Sequence, residues 1–187
     1  MSEIKILKEI AKKLNASLRK SEDIRLVPYF AEYFVAYGLS IKGSELGFCV
    51  EVLKKRRGPD LIVRNVSRNI CRPIEVKTGH TDRPGLLCSA SFGMGKSIDK
   101  AEFYSCVFVV FENLAVKECF VFTLDELKEI PQSGLGMFPD NQCNLFWCEN
   151  LSEYKRQFPN VKDRLDIEIR LHEHPENFKN RWDRIFS

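Results

Sequence analysis

The sequence predicts an α/β fold in which a central mixed β-sheet is flanked by helices. Residues Ile70 to Lys77 alternate between apolar and polar side chains, as a strand with one buried face does. Val107 to Phe111 is a continuous apolar run of β-branched and aromatic residues, typical of a strand buried on both faces. A helix is expected between them, over about Lys96 to Tyr104. The two strands should therefore run parallel, joined by a right-handed crossover.

Composition is that of one globular domain. The chain has 187 residues, 44% of them hydrophobic, which is enough for a sizeable core. Its 29 basic and 26 acidic residues leave a net charge of only +3, so total charge does not argue for a nucleic-acid partner. No signal peptide and no membrane-spanning apolar run occurs, and we expect a soluble, cytoplasmic protein.

Cysteine usage also indicates a reducing compartment. The seven cysteines are an odd number, scattered through the chain without a CxxC pair, and several lie in apolar runs. We expect buried free thiols rather than a disulfide framework. Cys143, Cys148, His172 and His174 could be forced into a zinc site, but their spacing does not favour one.

Residues 2–20 place apolar side chains at helical spacing and lysines around the remaining surface. The pattern predicts an amphipathic helix, whose basic face could contact phosphates or a partner, or could simply be solvated. We expect a single domain over residues 1–187. Its core would span about residues 24–123, preceded by this helix and followed by a C-terminal addition at residues 131–187.

A second helix is predicted from Pro28 to about Tyr37, because proline suits the first helical turn and Gly38 supplies a stop signal. Between Leu26 and Ile41 the only charged residue is Glu32. A lone carboxylate on so apolar a helix is costly to bury unless a metal ion, its bound water or a lysine pairs with it. The alternative is that Glu32 lies on the one exposed stripe of the helix.

The segment from Ser40 to Leu53 is predicted to form one or two strands, the last antiparallel to the strand that begins near Asp60. A run of four cations follows, formed by Lys54, Lys55, Arg56 and Arg57. Such a run is usually a solvated turn. Here it directly precedes Pro59-Asp60, where it would attract a polyanion such as DNA.

Two carboxylates and a lysine carry the main functional signal. Asp60 opens the apolar run Leu61 to Val63, and a polar turn at Arg64 to Asn69 leads into the strand that contains Glu75 and Lys77. Those two side chains share one face, since successive residues of a strand point to opposite faces. If Asp60 lies at the facing strand end, the three groups form an oxygen-ligand site for a hard divalent cation beside an ammonium group.

Such a site suits phosphodiester hydrolysis. A metal ion held by carboxylates lowers the pKa of its bound water and neutralises charge on the phosphate. Lys77 could orient the water, help to deprotonate it or stabilise the developing charge.

Pro59-Asp60 followed by Glu75-Val76-Lys77 resembles the motif of the PD-(D/E)xK nuclease superfamily, which includes many type II restriction endonucleases and Holliday-junction resolvases. The resemblance covers about residues 24–123 and implies a restriction-endonuclease-like αβββαβ core. It also implies that Asp60 and Glu75 hold Mg²⁺, which Mn²⁺ could replace, and that Lys77 acts on the attacking water. Glu32 matches a glutamate that the helix before the first core strand contributes in many members.

Lys96 and Ser97 match a further position, on the helix after the motif, where the superfamily often carries a polar side chain near the metal and nucleic acid. The resemblance thus predicts a DNA endonuclease without an organic cofactor or membrane contact, most specifically a type II restriction enzyme. Such enzymes usually form homodimers, because two strands require two active sites. The alternatives are a junction resolvase or repair nuclease, an RNA nuclease, and a catalytically silent nucleic-acid or protein-binding module of the same fold.

The rest of the chain gives weaker signals. Thr78 to Gly85 is predicted as a polar turn, in which His80 could be a proton shuttle, and Ser89 to Ser97 as a small, glycine-containing segment. The remaining expectations are a strand at Cys119 to Thr123, a capping box of Thr123 and Glu126, a turn-rich loop at 131–150, a helix at Leu151 to Phe158, a strand at Leu165 to Leu171, and a closing helix at Pro175 to Phe186.

Overall fold

A computed structural model of the chain describes residues 27–53, 58–81, 88–92, 102–112, 115–128, 143–149, 152, 155–156 and 166–187. The predicted helix at residues 2–20, the cation run at 54–57, and Lys96 and Ser97 lie outside the described residues. No helix within the described ranges is both long and apolar enough to cross a membrane.

The central sheet has five strands, in the order β1-β2-β3-β5-β6. Antiparallel pairing joins β1 to β2, β2 to β3 and β5 to β6, whereas β3 and β5 are parallel. The predicted α/β class and mixed sheet are therefore confirmed. The strands are β1 (Cys49–Val52), β2 (Leu61–Asn65), β3 (Ile70–Thr81), β5 (Ser105–Glu112) and β6 (Ala115–Thr123).

Helix α1 spans Val27–Ser44 and packs on one face of this sheet. It continues through Gly38, so the predicted end near Tyr37 is wrong, and so is the start of the predicted strand segment at Ser40. The second half of that segment is confirmed, because β1 pairs antiparallel with β2. Packing overrides the weak stop signal, because Leu39 and Gly43 are buried in the second half of the helix. A turn then reverses the chain, with Phe48 N donating to Gly43 O at 2.9 Å, before β1 begins.

Strand β5 lies at the centre of the fold. Its side chains alternate between two apolar clusters, and all but the last residue are buried. Val107, Val109 and Phe111 pack with α1, while Cys106, Phe108 and Val110 face the second cluster. That cluster also contains Phe120, Phe122, Leu127, Trp147, Leu171 and Phe178. The prediction of a strand buried on both faces is confirmed.

Two segments that were predicted as loops contain strands. Strand β4 (Cys88–Phe92) and strand β7 (Cys143–Trp147) form a separate antiparallel pair. The two strands are far apart in the sequence, so a prediction from local patterns could not pair them and followed the turn-forming residues instead. Residues 102–104 are not helical, so the predicted helix end at Tyr104 is wrong, and the rest of that predicted helix lies outside the described residues. Strand β3 extends to Thr81, across part of the predicted turn.

The C-terminal part also differs from prediction. The expected strand at Leu165 to Leu171 is helix α3 (Asp166–Glu173), so the strand-like alternation is overridden by tertiary packing, in which Leu171 is buried in the second apolar cluster. The expected helix from Pro175 is a 3₁₀ turn (Pro175–Asn177) followed by the short helix α4 (Asp183–Phe186). The chain between them pairs with β6, where Val121 N donates to Phe178 O at 2.8 Å.

Helix α2 (Leu124–Lys128) begins with the predicted capping box. Thr123 N donates to a Glu126 carboxylate oxygen at 2.9 Å, and Glu126 N donates to Thr123 Oγ1 at 3.3 Å. These bonds satisfy two amides at the helix start, as the sequence pattern predicts.

Two glycines of α1 provide a matched test of packing. A Cβ at Gly43 would lie 2.8 Å from Phe186 Cε1 and 3.1 Å from Phe48 Cβ, whereas a Cβ at Gly38 would meet Trp182 at an ordinary 3.8 Å. We expect Gly43→Ala to lower the free energy of unfolding by about 1–3 kcal/mol through overpacking. Gly38→Ala should raise it by about 0.5–1 kcal/mol, since alanine favours a helix. Urea titrations of both variants check this, and equal effects would contradict the packing.

Candidate active site

Asp60 and Glu75 face each other across β2 and β3. Leu61 pairs with Ile74, so the same antiparallel register places Asp60 opposite Glu75. Asp60 N donates to Ile74 O at 3.0 Å, and Val76 N donates to Asp60 Oδ2 at 2.7 Å. From the other side, Leu53 N donates to Asp60 O at 2.8 Å. The position of Asp60 is therefore fixed by both neighbouring strands.

Glu75 and Lys77 lie on one face of β3, as predicted. Ile74 and Val76 are buried on the opposite face, in the cluster that includes α1. Lys77 Nζ donates to Glu75 Oε1, and the two side chains are only 25% and 16% exposed. The pair is thus shielded enough from water for its charges to interact strongly.

Glu32 adds a third carboxyl group from α1, the helix that packs on the Ile74 and Val76 face of β3. It is half-buried and lies within electrostatic range of Asp60, Glu75 and Lys77. Glu32, Asp60 and Glu75 are called the acid cluster below. The structure thus places Asp60, Glu75 and Lys77 side by side and Glu32 within electrostatic range of all three.

The acid cluster is electrostatically crowded. Burial raises the pKa of all three carboxyls, and the charges of Asp60 and Glu75 raise that of Glu32 further. Lys77 opposes these shifts in each acid. Burial disfavours the charged form of Lys77 itself, but Glu75, Cys106 and Asp60 together outweigh burial, and the pKa of Lys77 is raised. The site therefore holds more negative charge than one lysine balances.

The donor set of this site fits a hard divalent cation. Within the described ranges, no group of three or more His, Cys, Asp and Glu side chains forms a ready-made metal site. Mg²⁺ does not require one, because it commonly takes one or two carboxylates and completes its shell with water and substrate phosphate. Asp60 and Glu75 supply two such carboxylates, whose raised pKa values reflect burial that a bound cation would offset.

The residues of the conceivable zinc set have other contacts. Cys148 N donates to His172 Nε2 at 3.0 Å, and His174 Nδ1 lies 3.3 Å from a Glu176 carboxylate oxygen. Cys106, Cys119 and Cys148 are buried and form no disulfide, as expected, and burial raises the pKa of Cys119 to about 12. Cys49 and Cys71 are free but exposed, so that part of the expectation is wrong.

Two contacts of the site were not predicted. The Val76 amide donates a hydrogen bond to the Asp60 carboxylate. Cys106 of β5 pairs in register with Glu75 and contributes to the raised pKa of Lys77. The alternating pattern of β3 could not predict either contact, because both depend on how the strands are aligned. His80 lies in β3 on the face opposite Glu75, and its buried Nε2 has no hydrogen-bond partner among the described residues.

Charge crowding predicts a pH-dependent effect of Glu32. Its pKa is raised above the ordinary value of 4.5 in the folded protein, so its charged form destabilises the fold at high pH. That cost disappears as the pH falls below the pKa of Glu32 in both the folded and the unfolded protein, because the carboxyl is then protonated in both states. Without metal, Glu32→Gln should raise the free energy of unfolding at pH 8, and the gain should vanish near pH 4. Chemical denaturation at several pH values measures it.

Glu45→Gln is the matched control, since Glu45 is an exposed glutamate just beyond the end of α1. It should have no comparable effect. A Glu32→Gln variant that is less stable than the wild type at pH 8 would contradict the crowding.

Comparisons with known proteins give no family. No family model matches the chain, and a search of curated proteins finds no match. Among solved structures the chain is similar to a bacterial homing endonuclease, with a TM-score of 0.43 and 13% sequence identity, over 81% of this chain and 86% of that one. Residue roles are therefore drawn from the site itself.

Proposed function

We propose that this protein is a metal-dependent endonuclease that hydrolyses phosphodiester bonds in DNA. The observation that carries the proposal is the juxtaposition of Asp60 with Glu75 across β2 and β3, beside an ion-paired Lys77. A silent binding module would have no need for all three groups at one spot. Burying charged groups is costly, and the attraction between the two acids and the lysine offsets part of that cost only if the three groups are close together.

Asp60 and Glu75 are the residues that would hold Mg²⁺, or Mn²⁺ in its place. The bound cation would supply a more acidic water and would neutralise charge on the phosphate. Asp60 is suited to this task because two strands fix its backbone and the Val76 amide fixes one carboxylate oxygen. A ligand held in this way loses little entropy when it binds a cation.

Lys77 is suited to act as a cation rather than as a base. Its raised pKa keeps a proton on Nζ at neutral pH, so it can donate to water, to a phosphate oxygen or to developing negative charge. Glu32 would be an auxiliary acid, since burial and its acidic neighbours raise its pKa and favour its protonated form.

DNA is the expected polymer, and a type II restriction enzyme is the more specific proposal. The cation run Lys54, Lys55, Arg56 and Arg57 directly precedes the Asp60 segment in the sequence and would contact phosphates. Lys96 and Ser97 remain candidates for a similar role. A homodimer would place two such sites on two antiparallel strands. A junction resolvase or repair nuclease is the second candidate, because the same acids and lysine would serve it equally.

A plasmid assay tests the proposal. Wild-type protein incubated with supercoiled plasmid and Mg²⁺ should produce cut DNA, and a chelator should stop the reaction. Asp60→Ala should abolish cleavage through loss of a metal ligand. Lys77→Ala should slow it by about 100-fold or more through loss of a charge-stabilising donor. Both variants should still shift labelled DNA in gels, since neither residue is expected to dominate DNA affinity.

Lys117→Ala is the control for Lys77→Ala. Lys117 is likewise partly buried, at 24% side-chain exposure, and ion-paired with Glu112, but that pair lies at the β5–β6 end of the sheet. Its loss should leave cleavage unchanged. Undiminished cutting by Lys77→Ala or Asp60→Ala would contradict the site, and equal losses in all three variants would indicate damage to the fold. If the plasmid stays intact, branched DNA is the next substrate.

A further inference from the structure

Helix α1 has an unusual outer surface. Its only charged residues are Glu32 and Lys42, whereas a helix on the surface of a globular protein normally carries charged residues on its solvent face. Instead, Tyr29 and Tyr33 are 61% and 53% exposed. Large exposed aromatic side chains of this kind mark a contact surface.

The two tyrosines adjoin the acid cluster. Successive helical residues are about 100° apart, so Tyr29 and Tyr33 lie one above the other on adjacent turns. The buried side extends from Val27 round to Ala36, and Glu32 lies within it, about 40° from Ala36. Tyr29 follows about 20° beyond Ala36, and Tyr33 about 40° further. The tyrosines thus begin at the edge of the buried side that is nearest Glu32, whose carboxyl is within electrostatic range of Asp60 and Glu75.

The patch is short. Ser40 and Ser44 continue the tyrosine stripe toward the end of α1, and both are exposed. Exposed Phe34 and Ile41 lie further round the outer surface, about 80–100° from Tyr33. Even with them, the exposed apolar side chains of α1 are far fewer than the roughly 20–30 residues per partner of a stable protein interface. The patch fits a small, flat, apolar group better than a second protein.

We propose that Tyr29 and Tyr33 form a stacking surface for unpaired nucleobases next to the acid cluster. The proposal rests on the proposed nuclease function and, within it, favours the junction or repair nuclease over the restriction enzyme, because it specifies DNA with a single-stranded stretch beside the scissile phosphate. Stacking of a base on an aromatic ring contributes about 1–3 kcal/mol and is independent of sequence. Base faces are hidden inside a duplex, so only unpaired bases can use these rings.

Binding without metal separates stacking from cleavage. Fluorescence anisotropy in chelator would compare a labelled single strand, the same strand in a blunt duplex, and a single strand with abasic sites. Tyr29→Ala and Tyr33→Ala should each weaken single-strand binding by about five-fold or more, which corresponds to the lower range of stacking energies. Duplex affinity should not change. Tyr29→Phe and Tyr33→Phe, which keep the ring, should bind like the wild type.

Ile41→Ala is the matched control, because Ile41 is 39% exposed on the same helix but away from the acid cluster. It should have no effect on any probe. On the abasic strand the alanine variants should match the wild type, since the phosphates remain and the base faces are gone.

Three results would overturn the proposal. The first is no measurable single-strand binding by the wild type, and the second is an unchanged affinity in the tyrosine variants. The third is an equal loss on abasic or duplex DNA. A change of oligomeric state in sedimentation, without a change in single-strand affinity, would identify a second copy as the occupant instead. If any of these results is found but the protein still cuts plasmid, the stacking proposal is wrong and the nuclease proposal stands. If the tyrosines bind single strands as expected but no DNA is cut, only the nuclease proposal is wrong.

Discussion

The candidate site depends on the register of β2 against β3. The hydrogen bond from the Val76 amide to the Asp60 carboxylate, at 2.7 Å, exists only in the register that pairs Leu61 with Ile74. A slip by one residue would turn Glu75 and Lys77 toward α1 and remove Ile74 and Val76 from the cluster that they form with it. Hydrophobic burial on the α1 face therefore specifies the polar arrangement on the other. Stability of the core and placement of the acids have the same physical cause.

The second constraint is the cost of bringing like charges together under partial burial. Glu32, Asp60 and Glu75 all have raised pKa values, with burial as the largest cause in each, and Lys77 offsets only part of that cost. Such crowding is unfavourable for folding, and carboxyls with shifted pKa values cluster at functional sites. A divalent cation would offset the cost directly. On this account the site trades stability of the metal-free protein for metal affinity.

Local patterns in the sequence predicted most of the site. Alternation along Ile70 to Lys77 placed Glu75 and Lys77 on one face, and the cost of a lone carboxylate on an apolar helix singled out Glu32. Local patterns could not predict features that depend on contacts between residues far apart in the sequence. The pairing of β4 with β7 joins segments far apart in sequence, and α1 passes Gly38 because Leu39 and Gly43 pack in the core. In the same way, register alone sets the Val76 contact of Asp60.

The most direct test of the central claim is a crystal structure of the protein grown or soaked with Mn²⁺, with its anomalous signal recorded. The account predicts a manganese peak within coordination distance of carboxylate oxygens from both Asp60 and Glu75. The Glu75→Gln variant, crystallised in the same way, should lose that peak or bind more weakly. A manganese ion held elsewhere, or an empty site between these two carboxylates at Mn²⁺ concentrations that support cleavage, would contradict the account.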